Sequence, residues 1–155
     1  MQTRREMLSR SAQVAGMLAA LGMFPGMATA QTAPYNTAAF DAKTMAELMK
    51  SLGAGAPVES KDVTITGPDI AENGAVVPVG ASTALPGVKR MLLLVEKNPA
   101  MLSALFDVGD AVEANFSTRV KMGQSSNVFA VAMMNDGKVL YAAKEVKVTL
   151  GGCGG

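Results

Sequence analysis

The chain has 155 residues, of which 49% are hydrophobic and 17% charged, with a formal net charge of +1. That balance argues against a nucleic acid or an anionic membrane surface as partner. With no histidine and one cysteine, imidazole catalysis, histidine-ligated metal and any intramolecular disulfide are excluded.

Residues 1–30 read as a signal peptide. Arg4 and Arg5 lie in a short basic segment, an apolar stretch follows over residues 12–24, and Ala28-Thr29-Ala30 supplies the small residues a signal peptidase accepts, leaving Gln31 as the mature start. The apolar core is too short to span a membrane and stops at Pro25-Gly26. Paired arginines before a weakly apolar core favour twin-arginine export; an ordinary secretory signal with two adjacent arginines is the alternative. The signal would remove Arg4, Arg5, Arg10 and Glu6, turning the charge of +1 into −1 over the remaining 125 residues. That length suits one domain with a modest core.

Residues 31–40 read as a loose leader, and residues 41–52 as the one helix. Met45, Leu48, Met49 and Leu52 recur at helical spacing and form one apolar stripe. The stripe reads first as a core face and second as a docking face. Thr44 with Glu47 resembles a capping box, although Asp41 could equally be the cap. Gly53 and Gly55 stop the helix.

Strand patterns follow Pro57. Residues 63–66 alternate. Residues 76–79 form a second apolar run, in which Pro78 indicates a sheet edge or bulge. Residues 91–95, Met-Leu-Leu-Leu-Val, are continuously apolar, as a strand buried on both faces should be. Over residues 112–122 the period is two: Val112, Ala114, Phe116, Thr118, Val120 and Met122 share one face, while Arg119 and Lys121 lie on the wet face. Residues 128–134, including Met133 and Met134 as strand core, lead into Asn135-Asp136-Gly137, a tight hairpin turn. A return strand begins near Lys138, and a last strand carries Val146, Val148 and Leu150 straight into Gly151. About seven short strands with little helix predict an all-β, immunoglobulin-like antiparallel β-sandwich over residues 31–150, with a small barrel as the alternative.

The sequence printed ends Gly151-Gly152-Cys153-Gly154-Gly155. Glycines at this density predict a flexible, exposed arm over residues 151–155, thin enough to enter a narrow channel. Five residues reach at most about 17 Å. No Lys, Arg or His lies in the arm to acidify the thiol, and a carboxylate two residues away would disfavour the thiolate. Activation must then come from another protein, which fits a carrier better than an autonomous cysteine enzyme. A covalent homodimer through Cys153 is compatible with this reading. A thiol–disulfide oxidoreductase would want a second cysteine or an acidified thiol, and neither is present.

The leader, the strand-rich domain and the ending Lys144-Glu145-Val146-Lys147-Val148-Thr149-Leu150-Gly151-Gly152-Cys153-Gly154-Gly155 closely resemble the SoxY family, as do residues 117–122 and the Asp136-Gly137-Lys138 hairpin. SoxY is the sulfur-carrier subunit of the periplasmic thiosulfate-oxidising Sox system. The resemblance implies a carrier that is not itself an enzyme and holds no metal or other cofactor. It implies a heterodimer with an immunoglobulin-fold SoxZ subunit, exported in complex with this one. It further implies that Cys153 is the covalent attachment site, with Gly151, Gly152, Gly154 and Gly155 as tether. A haem c-type enzyme would couple thiosulfate to Cys153, a hydrolase would release sulfate, and a sulfane dehydrogenase would oxidise the remaining sulfur. A non-catalytic assembly subunit, whose cysteine only forms an intermolecular disulfide, is the competing reading.

Overall fold

The computed structural model describes residues 36–149. In chain order these form α1 (Thr37–Asp41), α2 (Met45–Ser51), β1 (Val58–Glu59), β2 (Val63–Thr66), β3 (Ile70–Ala71), β4 (Val77–Thr83), β5 (Val88–Val95), β6 (Leu102–Asp107), β7 (Asn115–Val120), β8 (Ser126–Met134) and β9 (Val139–Val148). The larger sheet has the order β1-β9-β8-β5-β6, with β3 also paired to β9; the smaller has the order β2-β4-β7. The long ladders are antiparallel. Two short parallel pairs are added along β9, by β1 near its start and β3 at its end. The architecture is the expected immunoglobulin-like sandwich.

The apolar run at residues 91–95 is continuous because both faces of β5 are covered. Met91, Leu93 and Val95 point between the sheets, among Val77, Val79, Val120, Met122, Val128 and Ala130. Leu92 and Leu94 point the other way, beside Leu102 of β6 and under a cover that includes Ala39, Leu48 and Met49. All five residues of the run are 0% exposed. Burying both faces removes the alternation that a half-wet strand would show. β7 has one wet face and keeps that alternation. Ala114, Val120 and Met122 are buried and Phe116 half-buried, while Asn115, Ser117, Arg119 and Lys121 are exposed. Val112 departs from the expected core face: it lies before β7 and is 51% exposed.

Three other expectations change. The helix expected over residues 41–52 is two helices, broken at residues 42–44. The Thr44 hydroxyl accepts the Glu47 N–H at 3.2 Å, and the Glu47 carboxylate accepts the Lys43 N–H at 3.0 Å. This cap satisfies the Glu47 amide in the first turn of α2 and the Lys43 amide just ahead of the helix, and lets the chain turn there; Ala42 is extended and its carbonyl accepts the Met101 N–H. Thr44, not Asp41, is therefore the cap of α2. The Leu48–Met49 stripe is buried under the larger sheet, with Met45 and Leu52 packed beside it. Pro78 lies in the middle strand of the smaller sheet, paired with Arg119 on one side. The β2 ladder ends at Gly80, so the other side of Pro78 carries no ladder to break.

The strand count also rises. β1 and β3 are two residues long, too short to show a period, and β6 has no clean alternation. The return strand and the last strand are one ten-residue strand, β9. The hairpin before it closes as expected: the Gly137 N–H reaches the Met134 carbonyl at 3.1 Å, the Met134 N–H reaches the Lys138 carbonyl at 2.8 Å, and Gly137 takes φ 88°.

Candidate functional site

Cys153, its four flanking glycines, and Arg4, Arg5, Ala28 and Ala30 lie outside the described residues. The structure does describe the root from which the Cys153 segment departs. Thr149, the last described residue, is four positions before Cys153.

That root is held on both sides. On one side, β3 runs parallel to the end of β9, pairing Ile70 with Lys147 and Ala71 with Val148. The Lys147 N–H donates to the Asp69 carbonyl at 3.0 Å, and the Thr149 N–H donates to the Ala71 carbonyl at 3.1 Å. The Thr149 hydroxyl lies 3.4 Å from the carbonyls of Ala71 and Glu72. On the other side, the Ser125 hydroxyl accepts the Val148 N–H at 2.9 Å, continuing the ladder where β8 has run out. Each such bond contributes about 1 kcal/mol net, and together they pin the strand end up to Thr149.

Gly74 lets the turn after β3 close onto this root. An added Cβ would sit 2.4 Å from the Met122 carbonyl oxygen and 2.8 Å from Val148 Cγ1. The Met122 N–H donates to the Gly74 carbonyl at 2.7 Å. Two chain segments and the end of β9 thus meet at a point with no room for a side chain.

One ion pair braces the same edge. Lys144 reaches Asp69 at 2.9 Å and donates to the Gly67 carbonyl at 2.5 Å. The hydrogen bond from Lys144, then its charge, hold the Asp69 carboxyl below its ordinary 3.8. Asp69 is 91% exposed, so this is a surface pair of small energetic weight. Lys121 and Lys147 are exposed near the root, and Arg119 is exposed farther back along β7.

A separate open cleft of about 1070 Å³ lies at the other end of the sandwich, lined by Lys61, Asp62, Thr83, Val112, Glu113 and Asn135 among others. β4 runs from Val77, near the root, to Thr83 in the cleft wall. Its length is about 20 Å at roughly 3.3 Å per residue.

Among the described residues no group of three or more acidic, Cys or His side chains is placed to hold a metal ion. No helix among them is long and apolar enough to cross a membrane. The root residues Ala71, Gly74, Ser125 and Thr149 are not singled out by sequence reasoning. A two-residue parallel bridge has no periodicity, and nothing local marks Gly74 as indispensable.

A family profile described as "Sulfur oxidation protein SoxY" matches residues 48–153. A search of curated protein sequences returns no match. Among solved structures, the sulfur carrier protein SoxY from Chlorobium limicola f thiosulfatophilum is similar at 34% identity and a TM-score of 0.60, covering 66% of this chain and 93% of that one. A superoxide reductase (neelaredoxin) from Ignicoccus hospitalis is similar at 18% identity and a TM-score of 0.51, covering 56% of this chain and 80% of that one. The second likeness is one of fold alone.

Proposed function

The chain belongs to the SoxY family of sulfur oxidation proteins, and on that premise we propose that it is a covalent sulfur carrier with Cys153 as attachment point. The observation that carries this reading is the conjunction at the end of β9. A strand bonded on both edges up to Thr149 leads into a Gly-Gly-Cys-Gly-Gly segment that holds the chain's one thiol. The family match also runs through Cys153 itself. A fixed root and a thin glycine tether are what a cargo-presenting thiol needs: the domain supplies position, and the tether supplies access.

The cargo is thiosulfate-derived and is processed by separate enzymes. Coupling joins the Cys153 thiolate to the outer sulfur of thiosulfate, and the two electrons released pass to a haem c-type enzyme. Hydrolysis of the terminal sulfur–sulfur bond by water then releases sulfate and two protons, leaving a persulfide anion on Cys153. A sulfane dehydrogenase oxidises that persulfide sulfur. The carrier supplies no acid, base, metal or cofactor of its own. It works in the periplasm as a heterodimer with a SoxZ-like immunoglobulin-fold subunit, after twin-arginine export directed by residues 1–30 with Arg4 and Arg5. Residues 31–150 are the carrier domain and residues 151–155 the arm.

Intact-mass spectrometry of protein recovered from thiosulfate-grown cells tests the reading. Thiosulfonate and persulfide adducts on Cys153 are expected, and Cys153→Ser should carry none while folding and binding its partner subunit normally. Protein recovered only unmodified or as a Cys153-linked dimer would instead favour an assembly subunit whose cysteine serves a disulfide.

A further inference from the structure

An asparagine followed by glycine is open to a spontaneous reaction of the backbone. The amide nitrogen of the second residue attacks the side-chain carbonyl carbon of the first, and a glycine has no side chain to crowd that approach. The chain holds one such pair, Asn73-Gly74. Its other asparagines precede Thr37, Pro99, Phe116, Val128 and Asp136. Each of those has a side chain in the way, and the proline nitrogen carries no proton to lose.

The structure leaves the reacting groups of Asn73-Gly74 available. Asn73 is exposed, so water reaches its carboxamide. The Gly74 N–H donates no hydrogen bond among the described residues, so the attacking nitrogen is not engaged. Asp136-Gly137, which could close the same ring, is the contrast. There the Gly137 N–H is donated to the Met134 carbonyl at 3.1 Å. Lys138 holds both carboxylate oxygens of Asp136, at 3.0 Å from its N–H and 2.9 Å from its Nζ. An ionised carboxylate paired in this way is a poor electrophile.

What opposes the reaction at Asn73 is the packing around Gly74. The Asn73 side-chain oxygen accepts the Ala75 N–H at 2.9 Å, and the Asn73 carbonyl accepts the Val76 N–H at 3.3 Å. The Gly74 carbonyl accepts the Met122 N–H at 2.7 Å. The space beside the Gly74 Cα is filled by the Met122 carbonyl oxygen and Val148 Cγ1. Ring closure swings the Gly74 nitrogen towards the Asn73 side chain and turns the peptide planes on either side of it. The turn must open first, and a segment bonded and packed this way is open for only a small fraction of the time.

We propose that Asn73 is the site of spontaneous deamidation in this domain, gated by the packing of Gly74 against Met122 and Val148. A bond forms from the Gly74 nitrogen to Asn73 Cγ, the Cγ–Nδ2 bond breaks, and the Gly74 amide proton leaves with Nδ2 as ammonia. Water then opens the succinimide at either carbonyl, giving aspartate or isoaspartate with nothing oxidised or reduced. Isoaspartate lengthens the backbone by one methylene where Gly74 has no room to shift, so the end of β9 is no longer gripped as before. The site is independent of what Cys153 carries.

Incubation of the purified full chain in mildly alkaline buffer tests this, with and without guanidinium chloride. Peptide mapping follows the change of amide to acid at Asn73, and hydroxylamine cleavage between residues 73 and 74 reports the succinimide. Conversion should occur at Asn73 before any other asparagine, and at least about tenfold more slowly in folded than in unfolded protein. Folded protein that has converted should exchange the Val148 and Thr149 amides faster than fresh protein. Asn73→Ser keeps a side-chain oxygen for the Ala75 N–H and should show neither change after the same incubation. Equal rates in folded and unfolded protein would overturn the gate. No conversion in guanidinium chloride, or earlier conversion at another asparagine, would overturn the site. Isoaspartate at position 73 with Val148 and Thr149 as protected as before would overturn its link to the end of β9.

Discussion

Replacing Gly74 by alanine should destabilise the domain through one identifiable contact. The backbone of Gly74 is not left-handed, so the constraint is space alone. The new methyl carbon would start 2.4 Å from the Met122 carbonyl oxygen, inside the 3.0 Å that real Cβ atoms essentially never breach. The obstacle is backbone, which cannot swing aside like a side-chain tip. It is also tied to Gly74 by the Met122 N–H bond at 2.7 Å, so separating the segments strains that bond too. Overpacking of this kind costs about 1–3 kcal/mol, and a weakened backbone hydrogen bond adds about 1 kcal/mol. Stiffening of the unfolded chain returns roughly 0.4–1 kcal/mol. The net loss should be about 1–3.6 kcal/mol. At about 4 °C per kcal/mol for a domain of this size, that lowers Tm by roughly 4–14 °C. Far-UV circular dichroism against temperature and urea measures it, and amide exchange at Val148 and Thr149 shows whether the root loosens. A loss under about 0.5 kcal/mol, with both amides as protected as before, would refute the claim that Gly74 seals the root.

The other expectations are more local. Leu93→Ala empties a fully buried site between the sheets and should cost about 3 kcal/mol, seen as a lower urea midpoint at unchanged slope. Thr44→Ala removes the side-chain acceptor for the Glu47 N–H and should cost about 1 kcal/mol in the same assay. Asp69 titrates below 3.8 because Lys144 favours its charged form, so whatever the pair contributes is present above pH 3.8 and fades as the pH falls through the lower folded value. Lys144→Met should bring the Asp69 midpoint back up to the ordinary carboxylate range in a carboxyl-carbon NMR titration. An unmoved midpoint would show that Lys144 is not the cause.

Much of this protein is legible in local pattern. Residues 91–95 announce a strand buried on both faces, because no polar residue interrupts them. Residues 114–122 announce one wet face, because their polarity alternates with the pleat. Asn135-Asp136-Gly137 announces a hairpin, because its closing geometry needs the left-handed backbone that Gly137 adopts. The single thiol among four glycines is likewise a fact of sequence. Each of these rests on residues a few positions apart.

What the tertiary structure alone decides involves partners far apart in the chain. Thr149 bonds to Ala71 across 78 positions, and Val148 bonds to Ser125 across 23. Such pairings leave no periodic trace, since they depend on how the β1–β3 segment is carried along the edge of β9. The same holds for Gly74, whose missing side chain matters only because Met122 and Val148 converge on it. It holds equally for Ile70. Its residue type promised burial, and only the packed sheets leave it exposed beside the end of β9. Local chemistry thus determined the strands and the presence of a lone thiol among glycines. Long-range closure of the sandwich decided how the end of β9 that leads towards them is held.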